Sequence, residues 1–188
     1  MRIHDTRMSR PTRLGLPAYP EGGFVQVSAE NQQDDEAVRV DRWVQLAADV
    51  LAAEGVKNDA ELWLLFVDEP TIADLNQRFM DGAGPTDVLA FPIDAVTHTA
   101  RPGSSSTVLE QSPEVDPVPR LLGDVVICPA VAARQAAPHP GGYEAEMALL
   151  VVHGVLHILG HDHAEPDEAA RMEARQHRLL DELYRQRP

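Results

Sequence analysis

Apolar positions along the chain follow two spacings, one typical of helices and one typical of strands. Between residues 38 and 54 the apolar side chains fall on one helical face, and Gly55 ends the pattern. Residues 68–71 are predicted to open a second helix, in which the Thr71 side chain can cap the first turn. The side chains expected on its inner face are Ile72, Leu75 and Phe79.

Short apolar stretches separated by turn residues predict the strands. They cover residues 24–28, 61–67, 86–92 and 122–128. Further helices are predicted from Pro129, over 143–159 and over 165–185. Because strands and helices mix without a strict alternation, the pattern indicates an α+β fold with a small mixed sheet.

Two segments have a different composition. Residues 1–22 are rich in Arg and Pro and are predicted to be a flexible N-terminal extension. Residues from about 95 to 120 are rich in Pro and Ser and are predicted to be a loop between two strands. The rest of 23–188 is short enough for one hydrophobic core, so a single domain is expected.

Charge and cysteine usage narrow the possible functions. The formal net charge is −14 and there is one lysine, which argues against broad charge-driven binding of nucleic acid. Cys128 is the single cysteine, so an intrachain disulfide and a Cys-based zinc site are both excluded. The sequence shows no signal-peptide pattern and no apolar run that could span a membrane. We therefore expect a cytoplasmic protein with no membrane partner.

Candidate chemistry is concentrated in residues 153–163, which hold four of the chain's eight histidines. His153 and His157 are four residues apart, so a helix places both imidazoles on one face. Gly160 can end that helix in a left-handed conformation and let the chain bring His163 to the same point. Three imidazoles with one open position are the ligand set of a catalytic zinc ion, and one ion per chain is predicted.

The spacing of these histidines is similar to the metzincin signature, H-x-x-x-H-x-x-G-x-x-H. Metzincins have a Glu after the first His as general base, whereas this chain has Gly154. The pattern thus predicts a metzincin-like zinc-binding helix and turn without the base of the proteases. Asp162 and His161 are candidate bases because they neighbour the motif, although Asp162 could instead bond to the turn or orient an imidazole.

Three stretches together resemble one family. Residues 153–163 read H-G-x-L-H-x-L-G-H-D-H, Leu75-Asn76 precedes G-P-T-D-V-L-A-F-P at 84–92, and L-G-D-V-V-I-C occupies 122–128. In these motifs and their order, the chain resembles the bacterial YbeY family of metal-dependent endoribonucleases, from about residue 24 to 185.

The resemblance implies a sheet of about four strands flanked by helices, with zinc bound by His153, His157 and His163. It further implies hydrolytic cleavage of single-stranded RNA, in 16S rRNA 3′-end processing and in 70S ribosome quality control. The implied partners are ribosomal RNA and the small ribosomal subunit or its associated proteins. Family context adds Asp87 and Asp124 to the candidate bases.

Two positions depart from the family pattern. Many members have an Arg six residues before the Pro-Thr pair, thought to act on the phosphate, and that position falls near Met80 here. His161 stands where the family often has Tyr. Arg134 could instead meet phosphate, or be an ordinary surface group. Two other functions stay open: a zinc metalloprotease-like hydrolase, and a non-catalytic, zinc-stabilised ribosome assembly factor.

Overall fold

The computed structural model describes residues 25–57, 60–93, 120–136, 141–161 and 165–185. The predicted extension (1–22) lies outside these ranges, and so does the predicted loop (95–120) apart from Arg120. Asp162 and His163 also lie outside the described residues.

The described residues form an α+β fold, as the sequence predicts. The strands are β1 (Val25–Asn31), β2 (Ala60–Phe66), β3 (Val88–Pro92) and β4 (Arg120–Ile127). The helices are α1 (Val40–Ala53), α2 (Glu69–Met80), α3 (Pro129–Ala136), α4 (Gly142–Ile158) and α5 (Pro166–Leu179), and a π-helical turn (Leu180–Arg185) continues α5.

The strands form one mixed sheet in the order β1-β2-β4-β3. β1, β2 and β4 run parallel, and β3 is an antiparallel edge strand paired with β4. The four-stranded mixed sheet expected from the family resemblance is therefore confirmed. In the ranges described, no helix is both long and apolar enough to cross a lipid bilayer.

Each face of the sheet has its own core. On one face Val125 of β4 packs in the larger core with Trp43 of α1 and Leu156 of α4. On the other face Val126 packs in a smaller core with Ile72 of α2. Because neighbouring strand residues point to opposite faces, this alternation decides which β4 side chains can reach α4.

α4 approaches the sheet closely at one point. A Cβ atom at Gly154 would lie 2.4 Å from Cγ1 of Val125, so no side chain fits there without a shift of β4 or α4. The absence of a side chain brings the histidine-bearing turns of α4 against β4, and it places them beside the edge strand β3.

α2 differs from its prediction at both ends. Thr71 is not the cap: the helix begins at Glu69, and the Asp68 carboxylate accepts a hydrogen bond of 2.9 Å from the Thr71 backbone N–H. Phe79 is 58% exposed, whereas Ile72 is fully buried. The last turn of α2 thus lies outside the core, and Phe79 packs edge-on against Phe91 with ring centroids 5.4 Å apart.

Candidate active site

His153 and His157 lie on one face of α4, near its C-terminal end. Their Nε2 atoms are 3.1 Å apart, and their ring centroids are 4.6 Å apart with the planes at 81°. Both side chains are half-buried and line the same cleft. The four-residue spacing therefore directs the two imidazoles to one point.

The donor set at this point fits a zinc ion. Two nitrogens bound at about 2.0–2.1 Å to one tetrahedral ion would be about 3.3 Å apart. The separation of 3.1 Å between the Nε2 atoms is close to that value. Within the described ranges no group of three His, Cys, Asp or Glu side chains could hold a metal, and the predicted third ligand, His163, is outside them.

Gly160 turns the chain at the end of α4. Its φ of +86° is left-handed, and its N–H donates to the carbonyl of His157 at 2.9 Å. The His161 N–H donates to the carbonyl of Leu156 at 3.0 Å. These bonds close the last turn of the helix, and the left-handed Gly160 at its end is as predicted. The predicted approach of His163 to the same point lies outside the described residues.

His161 lies where three helices meet. Its Nε2 atom is 3.7 Å from Oε2 of Glu54, just after α1. Glu54 is 15% exposed at its side chain and accepts a hydrogen bond of 2.5 Å from Nε of Arg175 on α5. The imidazole of His161 therefore lines the cleft. It also lies beside the ion pair of Glu54 and Arg175, which joins the end of α1 to α5.

The cleft has a volume of about 590 Å³. The last turns of α4 form one wall, and the edge strand β3 with the turn before it forms the other. Met80, near the position for which the family resemblance implies an Arg, also contributes to the wall. The lining residues are Met80, Thr86, Asp87, Val88, Leu89, Ala90, Pro92, His153, Gly154, His157, Gly160 and His161.

Asp87 lies in this cleft, across from the histidines. Its Oδ1 atom accepts hydrogen bonds from the Val88 N–H at 2.8 Å and from the Thr86 hydroxyl at 3.1 Å. Its carbonyl accepts from the Cys128 N–H at 2.8 Å. Asp87 thus stabilises the turn that leads into β3, and the strand begins at Val88 and not at Thr86. The Asp87 carboxylate also lines the cleft.

The turn that carries Asp87 is fastened to α2 through Asn76. The Asn76 side-chain amide donates to the carbonyl of Gly84 at 3.0 Å, and the Asn76 backbone carbonyl accepts from the Gly82 N–H at 3.2 Å. A Cβ atom at Gly82 would lie 2.4 Å from the Asn76 side chain. The Leu-Asn pair of the motif therefore has a structural role in setting the cleft wall.

Asp124 is on the wrong face of the sheet to serve the histidines. It pairs with Phe91 and precedes Val126 by two residues, so its side chain lies on the face of the smaller core, opposite α4. Burial raises the pKa of the Asp124 carboxyl above its usual range. The structure thus separates this candidate base from the cleft.

Arg134 does not reach the cleft either. Its guanidinium forms a two-pronged ion pair with Glu69 at the start of α2, in which Nη1 meets Oε1 and Nη2 lies 2.9 Å from Oε2. This pairing lowers the pKa of the Glu69 carboxyl and raises that of Arg134. The arginine therefore joins α3 to α2, and a role in phosphate binding is not supported.

The motif does not predict two side chains that lie near the histidines, Glu54 and Gln176. Gln176 is buried on α5, with Oε1 2.9 Å from Nδ1 of His153. One signal was available in the sequence: Gln176 stands at helical spacing between Met172 and Leu179, a polar residue on an otherwise apolar stripe. Glu54 carries no such signal, because its partners are distant in the chain.

The comparisons with known proteins agree with these motifs. The sequence model of the family described as Endoribonuclease YbeY matches residues 28–184. An Endoribonuclease YbeY of Rhodococcus opacus (strain B4) is 45% identical over 162 residues, covering 85% of this chain and 82% of that protein. One of Mycobacterium tuberculosis (strain ATCC 25618 / H37Rv) is 48% identical over 139 residues, covering 74% and 73%.

A solved structure supports the fold. The solution structure of a Thermotoga maritima protein superposes on this chain with a TM-score of 0.51 and 22% sequence identity. The match covers 86% of this chain and 89% of that protein. The likeness at that identity concerns the fold alone. The match over residues 28–184 and the identities above show more: this chain belongs to the endoribonuclease YbeY family, and thus to the nuclease class of hydrolases.

Proposed function

We propose that this protein is a zinc-dependent endoribonuclease that hydrolyses single-stranded RNA. The observation that supports this most is the convergence of the His153 and His157 Nε2 atoms at 3.1 Å in an open cleft. One ion per chain would be held by these two residues and His163. The setting we propose is the cytoplasm, in 16S rRNA 3′-end processing and 70S ribosome quality control.

The residues of this chain would have the following roles in the reaction. The imidazoles of His153 and His157, together with that of His163, would hold a zinc ion, which would supply water activation and polarisation of a phosphoryl oxygen. The candidates for moving the proton are Asp87 and His161, which both line the cleft, and Asp162, which follows His161. Met80 offers the phosphate no charge, so the contacts that orient RNA must come from elsewhere on this chain or from its partner.

The substrate we propose is RNA presented on the small ribosomal subunit or by its associated proteins. A net charge of −14 gives the chain little long-range attraction for naked RNA. The edge strand β3 lines the cleft opposite the histidines, and we propose that a single strand of RNA binds between them. Recognition of a protein-bound RNA would supply the affinity that charge does not.

Gly154 argues against the protease alternative. In the metzincin pattern this position carries the general base. A side chain here meets Val125 at 2.4 Å from its first carbon, so the packing of α4 on β4 is built around the absence of that base. Family membership also favours RNA over peptide as the substrate class.

An RNA-cleavage assay of His157→Ala tests the proposal. We expect the variant to lose bound zinc and to cleave single-stranded 16S rRNA fragments no faster than background, because one of three ligands is removed. His177→Ala is the matched control, since His177 is exposed on α5. Zinc content and circular dichroism are measured on all three proteins.

The outcomes separate the functions. Cleavage that persists in a folded, zinc-free His157→Ala protein would overturn the proposal. A folded variant that neither binds zinc nor cleaves RNA, yet still supports ribosome maturation in cells, would establish the non-catalytic assembly factor. Peptide cleavage by the wild type in the absence of RNA would support the protease.

A further inference from the structure

Gln176 is a buried polar residue in an otherwise apolar environment. It is 9% exposed and lies on α5 among the contacts that dock this helix on the larger core. Its amide oxygen is 2.9 Å from Nδ1 of His153, which belongs to α4 and lies 23 residues earlier in the chain. Burying an amide is costly unless it is hydrogen-bonded, so this contact offsets part of the cost of burying Gln176.

The contact has a consequence for the state of the imidazole. An amide oxygen can only accept a hydrogen bond, so Nδ1 of His153 must carry the hydrogen. A neutral imidazole has one N–H, and Nε2 of His153 is then left with its lone pair. That lone pair belongs to the atom 3.1 Å from Nε2 of His157, at the point where the two rings converge.

We propose that Gln176 is a positioning residue for the metal site, whose amide oxygen holds His153 in the tautomer and ring orientation that bind zinc through Nε2. The inference rests on the proposed zinc site and deepens it. Hydrogen bonds from a ligand histidine to an acceptor behind it typically contribute about 10- to 100-fold in metal affinity.

The neighbouring residue on α5 supports this role for the helix. Arg175 donates to Glu54 at 2.5 Å, and Glu54 in turn lies 3.7 Å from Nε2 of His161. Gln176 thus contacts one end of the segment from His153 to His161 directly, and Arg175 is linked to the other end through Glu54. The helix acts as a support against which the histidines are oriented, in addition to completing the core.

Two substitutions distinguish orientation from packing. Gln176→Met keeps a side chain of similar length and removes the acceptor, whereas Gln176→Glu keeps an acceptor at the same place. Gln45→Met is the matched control, because Gln45 is exposed on α1 and bonds to Asp49 on the same helix. The dissociation constant for zinc is measured by competition with a chromophoric chelator, with circular dichroism to verify folding.

We expect Gln176→Met to bind zinc about 10- to 100-fold more weakly than the wild type. Gln176→Glu should bind it at least as tightly, since a carboxylate behind a histidine raises the basicity of the ligand. Gln45→Met should match the wild type. Wild-type affinity in folded Gln176→Met would overturn the inference, as would a Gln176→Glu protein as weak as Gln176→Met.

A second measurement does not depend on any variant folding. Long-range ¹H–¹⁵N spectra of the zinc-free wild type report which imidazole nitrogen of His153 carries the hydrogen, and we expect Nδ1. A hydrogen on Nε2 would overturn the inference. Wild-type protein that binds no zinc would overturn the proposed function as well, whereas zinc-binding wild type with an unaffected Gln176→Met overturns the role of Gln176 alone.

Discussion

At the scale of single residues, Gly154 links the packing of α4 to the chemistry of the cleft. Its missing side chain allows α4 to lie against Val125, and the same absence removes the carboxylate that a metzincin would use as base. The two effects cannot be separated by substitution, because any side chain added for chemistry must first find room beside a stiff β-branched neighbour.

A double-mutant cycle tests this contact. We expect Gly154→Ala to lower the free energy of unfolding by about 1–3 kcal/mol, because the added carbon overpacks the core. In a Val125→Ala background the same change should be stabilising, since the obstructing methyl groups are gone. The gain of about 1 kcal/mol from the helix propensity of Ala is equal in both backgrounds and cancels. Urea denaturation gives the four stabilities, and equal effects of Gly154→Ala in both backgrounds would contradict the prediction.

Met80 is the second residue with a consequence for function. It is 48% exposed and lines the cleft, near the position for which the family resemblance implies an Arg. We expect Met80→Arg to raise kcat/KM for RNA by about tenfold, because a charge-assisted hydrogen bond to phosphate contributes about 1.5–3 kcal/mol. Gln77→Arg adds the same charge at an exposed position outside the cleft and should have little effect. An equal increase in both variants would show that net charge alone is responsible.

At the scale of elements, the sequence predicts local patterns well and distant contacts poorly. The periodicity of α1, α4 and α5, the left-handed Gly160 and the convergence of the two α4 histidines all follow from spacing within one segment. The ends of α2 depend on competition between neighbours, and Asp68 prevails over Thr71 as cap because the helix starts before the Thr. The partners of Gln176 and Glu54 depend on how α1, α4 and α5 pack, which no local pattern contains.

The two faces of β4 lead to a prediction about Asp124. Burial raises the pKa of its carboxyl, so the folded state holds the proton more tightly than the unfolded state. The resulting stabilisation is present below the ordinary Asp pKa of 3.8 and is lost as the pH rises through the raised value. At pH 7 the folded protein therefore carries the cost of a partly buried carboxylate.

We expect Asp124→Asn to be more stable than the wild type at pH 7, by less than about 1 kcal/mol because solvent screens a partly exposed group. The difference should shrink to nothing below about pH 4, where Asp124 is protonated in both states. RNA cleavage should be retained, since this side chain faces away from the cleft. Denaturation curves at several pH values and the cleavage assay check both parts, and loss of cleavage in the folded variant would make Asp124 part of the active site.

At the scale of the whole molecule, the net charge and the cleft together affect how the protein binds RNA. The chain has 16 Lys and Arg residues against 30 Asp and Glu residues, so its net charge gives little general attraction for phosphates. The affinity of the isolated protein for RNA should therefore be modest, and the choice of substrate should depend on surfaces other than the cleft.

A comparison of free and particle-bound RNA tests this expectation. Cleavage of 16S rRNA within small ribosomal subunits should exceed cleavage of the same RNA stripped of protein. The slope of log affinity against log salt for a naked single strand should be no steeper than about −2, which corresponds to about three phosphates. A steep slope with tight binding to naked RNA would show that a basic surface on this chain is sufficient.

α5 also sets an order of events in time. The chain is synthesised from its N-terminus, so His153 and His157 leave the ribosome before Gln176, the α5 residue that bonds to His153. Met172 and Leu179, which bury α5 against the core, arrive equally late. A growing chain therefore carries the two α4 histidines before it has the helix that supports them. The histidine cleft takes its final arrangement only after α5 has been synthesised.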